Sequence, residues 1–278
     1  MAPSSGAFLI SAKSIQHVKI PPMDYDDFIW FIKEREKLRF QKEIGIPLQS
    51  SDPILNKTHF LNIHIKYDAG TIRIHKFIAD LTDWEKLFYI FIYRTVYSTP
   101  RLLKDLTGIW FHDYRNIKLF KWKIHTDRQP YYFHVGKNSS LHQFLMTISL
   151  PVMKQFWSSF TKYKEEEIID VEEELSALFA LHTGRRKMKL LSSILVQDLA
   201  IQFPEKINPD SICRISIDAK QALKLLPGGR SDRKMEELRH STGLNYSSLN
   251  RALGQWWQYL SRKKYYEEHG LFRDEWLI

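Results

Sequence analysis

Apolar residues recur at helical spacing along most of this chain. Over 24–44, Phe28, Phe31, Ile32 and Leu38 fall on one face, Lys33, Lys37 and Lys42 spread over the rest, and Gly45 supplies a stop. Asp52-Pro53 reads as a helix start, a capping acid followed by a proline whose missing N–H is not needed there. Thr82-Asp83-Trp84-Glu85 has the spacing of a capping box and predicts an aromatic-rich helix to about residue 97. Its run from Phe88 to Val96 contains Arg94, so it reads as a core helix and not as a membrane span. Thr99-Pro100 opens another helix through Leu106, and further helices are expected over 141–164, 166–182, 188–203, 219–226 and 246–263. Pro151 should break the first of these, and Gly184 should end the second.

The exception is 115–135. There Ile117, Leu119 and the alternation Lys121-Trp122-Lys123-Ile124 predict a strand, 126–130 a turn, and 131–135 a second strand. The expectation is therefore a mainly α fold with a small inserted β-hairpin. Residues 1–22, closed by Pro21-Pro22, read as a loose leader ahead of one helical domain over 23–278. There is no internal repeat and no low-complexity tract.

Composition narrows the function classes. A hydrophobic share of 44% over 278 residues can fill a core, and no stretch approaches the about 20 apolar residues of a membrane span. The run at Ala7–Ile10, cut by Lys13, is too short for a signal peptide. The single cysteine, Cys213, excludes an intrachain disulfide and a thiolate zinc cluster; Ile212 and Ile215 beside it predict a buried small hydrophobe, and the set fits a cytoplasmic protein. No phosphate-cradling glycine motif, HExxH or GxSxG is present, and His59, His64, His112, His125 and His134 have no metal-ligand spacing, so neither metal nor cofactor is expected.

The net charge of +9 changes the picture, because it suits a polyanionic partner. Arg185-Arg186-Lys187 with Lys189, then Arg230, Arg233 and Lys234, and then Arg262-Lys263-Lys264 can each contact phosphates, although any one cluster taken singly reads better as a solvated face. Trp256-Trp257 and Tyr259 read as core packing, while Trp30 and Trp84 are candidates for stacking on a base.

Two stretches carry more specific information. The first runs Phe28-Ile29-Trp30-Phe31-Ile32-Lys33-Glu34-Arg35, then Arg39, Gly45, Pro47, Ser51-Asp52-Pro53-Ile54-Leu55, Phe60, Asn62 and Asp68. The second is Leu195-Val196-Gln197-Asp198-Leu199 followed by Phe203-Pro204. Together they resemble the alpha-glutamyl/putrescinyl-thymine pyrophosphorylases, whose helical module also occurs attached to phage 5-hydroxymethyluracil DNA kinases. The chain departs from that pattern at Ser51, where the family has threonine, and at Ile65, where it has arginine. It departs again over 214–218, Arg214-Ile215-Ser216-Ile217-Asp218, where a glycine-containing loop is expected.

The resemblance implies a helical fold akin to the helix-hairpin-helix DNA glycosylases. It implies a DNA-modifying transferase that displaces phosphate or pyrophosphate from activated 5-hydroxymethyluracil with an amine, from an amino acid or a polyamine. DNA and the amine are then the partners, with a DNA kinase or second subunit as a further one. Carried over residue by residue, the catalytic set is Asp198, Arg35, Arg39 and Glu34. Substrate contacts fall to Asp52, Asn62, Asp68 and Gln197, and DNA contacts to Arg185, Arg186, Lys187, Arg230 and Arg233.

Physical chemistry gives these residues roles and rivals. The leaving group is highly anionic, and Arg35 and Arg39, one helical turn apart, can converge on it. They can equally pair with Glu34, Asp52 or Asp68 to lock helices together. The amine arrives as an ammonium and must lose a proton. Asp198, in an apolar context that raises a buried carboxyl, is the candidate base, against a helix-locking aspartate bonded to an arginine. Asn62 can bond the base edge or bridge loops. The departures favour a non-catalytic DNA-binding subunit as the main alternative, with a glycosylase-like enzyme behind it.

Overall fold

The computed structural model describes residues 20–58, 60–96, 144–184 and 188–269. The expected leader up to residue 19, the helix from Thr99, the hairpin over 115–135 and the cluster Arg185-Arg186-Lys187 lie outside these residues. The described part is mainly α, with one two-stranded parallel sheet. Contacts cluster into two compact units: one joins the chain up to Ile63 with the chain from Ile215 onward, and the other spans His64–Arg214.

The first unit holds α1 (Tyr25–Glu43) and α2 (Pro53–Lys57). Asp24 caps α1 in a box with Asp27: each side chain accepts the other's backbone N–H, which satisfies donors that a helix start leaves open. Asp52 caps α2, its Oδ1 accepting from Ile54 and Leu55 N–H at 2.8 and 3.1 Å. The helices read from this end of the sequence are therefore present, with the same start signals.

Three helices from beyond Ile215 complete the unit. They are α8 (Ile217–Leu225), α9 (Ser231–Thr242) and α10 (Tyr246–Glu268), numbered after those of the second unit. Leu249, Leu253, Trp256 and Leu260 of α10 repeat at three- and four-residue steps and are buried, as are Phe28 and Phe31 of α1. Phe28 meets Trp256 at 5.1 Å between ring centroids, and Phe31 meets Tyr259 at 5.3 Å, so the expected core role of Trp256 and Tyr259 is realised. Helix α9 was not expected from its pattern. Its buried residues are only Lys234, Met235 and Leu238, too narrow a stripe to register as a period. Lys234, grouped in the sequence with phosphate-binding cations, is instead buried. Its Nζ donates to the carbonyls of Leu223 and Leu226 at 2.9 and 2.6 Å and closes the C-terminus of α8.

The second unit holds α3 (Ala69–Ile78), α4 (Asp83–Val96), α5 (Leu150–Phe160), α6 (Ile168–Thr183) and α7 (Lys189–Gln202). Thr82 and Glu85 form the expected capping box at α4. The break foreseen at Pro151 takes the form of a π-helical turn, Leu145–Ser149, leading into α5, with the proline at the helix start where no N–H is required. Gly184, at φ 69°, ends α6 in the left-handed conformation that glycine adopts without strain. Helix α6 begins two residues later than expected because Glu166–Glu167 (β1) pairs in parallel with Ile207–Asn208 (β2). Phe156, Phe160, Phe179, Leu195 and Leu199 fill this unit's core. Cys213 is buried, as its neighbours predicted. No described helix is long and apolar enough to cross a membrane.

Candidate functional site

Glu34 and Asp52 of the first motif are joined by a chain of hydrogen bonds in the first unit. Glu34 accepts from Ser50 Oγ at 2.7 Å, and Ser50 Oγ in turn accepts from Asp52 N–H at 3.1 Å. Asp52 uses its second oxygen, Oδ2, to accept from Tyr259 O–H on α10 at 2.7 Å. Burial, and after it that bond, push the Tyr259 phenol well above its ordinary range. Asp52 thus joins α2 to α10, and both of its oxygens are committed.

Arg35 and Arg39 do not converge. Arg39 pairs along its own helix with Glu36 and Glu43, which together hold its guanidinium above the ordinary value although burial works the other way. Arg35 turns inward. Its Nη2 donates to the carbonyls of Phe60 and Leu61 at 3.1 and 2.9 Å, and its guanidinium carbon lies 5.2 Å from the centre of the Phe60 ring. Its Nε is buried with no partner. Burial pulls its pKa down to about 10, so it is still cationic at neutral pH.

The chain from Phe60 to Asn62 is clasped from the other side of the sequence by α10. Arg251 Nε donates to the Asn62 carbonyl at 2.6 Å, and Gln255 Nε2 reaches the same oxygen at 3.4 Å. Arg262 lies 5.9 Å from the Phe60 ring centre. Arg262 belongs to a cluster the sequence offers for phosphate contact, whereas Arg251 and Gln255 are not among the site residues read from sequence. The signal for them was local, since steps of four and seven residues place all three on one face of a helix.

In the second unit Asp198 is fully buried and meets Arg94 through two bonds, from Nε to Oδ2 and from Nη2 to Oδ1, the latter at 2.8 Å. Arg94 Nη2 also donates to Thr71 Oγ1 at 2.8 Å. His75 Nε2 lies 3.5 Å from Asp198 Oδ1, and His75 Nδ1 lies 3.1 Å from Gln202 Oε1. Burial alone would raise the Asp198 carboxyl, as its apolar context suggested. The bidentate Arg94 guanidinium, aided by His75, overturns that and holds it below the ordinary carboxylate range. Such a carboxylate is a poor proton acceptor, and its arrangement is that of a helix-locking ion pair.

Asp68, at the start of α3, acts electrostatically on the same Arg94, so the two motifs of the sequence meet around this arginine. Gln197 Nε2 contacts Ser193 Oγ of its own helix at 3.3 Å. Arg94 was the missed member. A lone cation in the apolar run of α4 and a lone acid in the apolar run of α7 need each other once buried, and that complementarity was readable before the structure.

The remaining candidate DNA contacts, Arg230 and Arg233, are exposed and pair with Asp232 and Glu237. Surface pairs of this kind are worth about 0–1 kcal/mol, so they do not prevent a phosphate from taking over the cation. The segment 214–218, where the family pattern carries glycine, is held by side chains: Ser216 caps α8 through Ala219 N–H, and its own N–H donates to Asn250 Oδ1 at 2.8 Å.

One further titratable group was not anticipated. Glu172 of α6 is buried, faces Arg214 at 3.6 Å and leaves Oε2 without a partner. Burial outweighs the arginine and pushes its pKa from the ordinary 4.5 to about 7. Because the folded value lies above the unfolded one, the folded state holds the extra proton between them, and stability falls as pH rises across that window. Glu172→Gln should therefore gain up to about 2 kcal/mol over the parent at pH 8 and be near neutral at pH 4.5. Urea unfolding at the two pH values checks this, and an equal effect at both would contradict it.

Among the described residues no group of three or more His, Cys, Asp or Glu side chains is placed to hold a metal. No protein-family model, curated protein or solved structure matches this chain.

Proposed function

We propose that this chain is a DNA-modifying transferase on a helix-hairpin-helix glycosylase-like scaffold. It replaces the phosphate or pyrophosphate of an activated 5-hydroxymethyluracil with an amine. The amine nitrogen attacks the exocyclic methylene carbon, the carbon–oxygen bond breaks, and the leaving oxygen departs with the bonding electrons as an anion. The ammonium gives up its proton to solvent water, so the attacking amine is neutral.

The observation that supports this reading most is Arg35. It is a largely buried cation, fixed by the motif's own Phe60 and Leu61 carbonyls, and no carboxylate lies within ion-pair distance of it among the described residues. A pre-oriented guanidinium with no described acid at ion-pair distance suits a departing phosphate, since its stabilisation needs no rearrangement as charge develops.

The pairing of Asp198 with Arg94 favours a second reading, a DNA-binding subunit without chemistry of its own. Amine-dependent phosphate release separates the two. DNA carrying phosphorylated 5-hydroxymethyluracil, the protein and a mixture of amino acids and polyamines should yield phosphate only when all three are present. Retention of the DNA with no release above the protein-free rate would replace the transferase reading by the second one.

A further inference from the structure

Arg35 and Arg262 differ from six other arginines among the described residues. Arg39, Arg94, Arg214, Arg230, Arg233 and Arg239 each face a carboxylate. Arg262 makes neither a hydrogen bond nor an ion pair among the described residues, and its described contact is with the ring of Phe60. Arg35 approaches the same ring, and its Nη1 has no hydrogen-bond partner among the described residues. Two guanidiniums gathered on one phenyl ring repel each other, and the ring's quadrupole offsets only about 0.5–2 kcal/mol per contact. A structure that holds them there with no carboxylate at ion-pair distance among the described residues is complementary to an anion supplied from outside. Two planar forks of N–H donors suit a phosphate, whose several oxygens can accept from both at once.

We propose that Arg35 of α1 and Arg262 of α10, held around Phe60, form a binding site for a phosphate group. The site stands on this arrangement alone. The transferase reading bears only on where the phosphate comes from, which is either the leaving group of the modified base or the DNA backbone. Arg251 lies eleven residues before Arg262, about 16 Å along α10, and its Nε is engaged by the Asn62 carbonyl. It fixes the wall of the site and leaves the anion to the other two.

Calorimetric titration of the full chain with sodium pyrophosphate, without any modified base or amine, tests the site apart from the transfer reaction. The parent should bind, Arg262→Gln should weaken binding at least about tenfold, and Lys162→Gln, on an exposed position of the other unit, should leave it unchanged. Arg35→Lys keeps the charge but loses the fork and should weaken binding similarly; circular-dichroism melting confirms that it folds. A parent that does not bind, or an Arg262→Gln protein that binds as the parent does, overturns the site whatever the transfer assay gives. A parallel titration with an unmodified duplex identifies the source. Weakening of both ligands by Arg262→Gln assigns a backbone phosphate, and weakening of pyrophosphate alone assigns the leaving group.

Discussion

Asp198→Asn is expected to destabilise the second unit by about 3–5 kcal/mol, enough to lower its thermal midpoint by many degrees. The asparagine fits the space, so the loss is electrostatic: Arg94, nearly buried in α4, would remain charged with no carboxylate to face. Replacing the pair together, as Asp198→Leu with Arg94→Met, should recover most of that loss, because neither desolvated charge is then present. The dependence on pH has a definite sign. The Asp198 carboxyl is held below its ordinary value, so its contribution is complete above about pH 4 and is lost as pH falls through the folded value. Parent and Asp198→Asn should therefore converge in stability in acid. An Asp198→Asn protein as stable as the parent near neutrality, yet devoid of phosphate release, would return Asp198 to the role of base.

Arg35→Lys should act on chemistry instead. Removing one pre-oriented donor from a developing anion typically lowers turnover by about 10²–10³-fold, and the same order is expected for amine-dependent phosphate release here. Lysine keeps a charge but presents a mobile point donor in place of a fixed fork, and it can still reach one of the carbonyls of Phe60 or Leu61. Stability should consequently move by only about 1 kcal/mol. A parent-like turnover in a protein that unfolds more easily would mean that Arg35 is a strut for the Phe60–Asn62 chain and nothing more.

The secondary structure was legible where local chemistry decides it. Asp24, Asp52 and Thr82 announced their helix starts and Gly184 its stop, because a cap is a short-range bargain between a side chain and nearby N–H groups. Helix α3 escaped because Arg73, His75 and Lys76 interrupt its apolar positions, and α9 because Lys234 takes a buried place that a pattern reading gives to solvent. The two-residue strands depend on partners some forty positions apart and have no local signature.

The site was legible in part. The motif residues do make the tertiary bonds, but sequence gives no means of dividing them between units. Glu34, Arg35, Asp52 and Asn62 belong to the unit built from both parts of the chain, and Asp68, Gln197 and Asp198 to the other. The Arg94–Asp198 pair spans 104 residues, and with it went the inference that an apolar context raises the acid. Context along the chain reports burial; only the partner across the fold sets the direction of the shift.

Mass spectrometry of nucleosides from phosphorylated 5-hydroxymethyluracil DNA, incubated with the protein and a mixture of amino acids and polyamines, decides whether the chain is a transferase. A new thymine-derived nucleoside carrying an amine, formed in proportion to the phosphate released, is expected. Unchanged nucleosides, with the DNA still bound, would contradict the transferase reading.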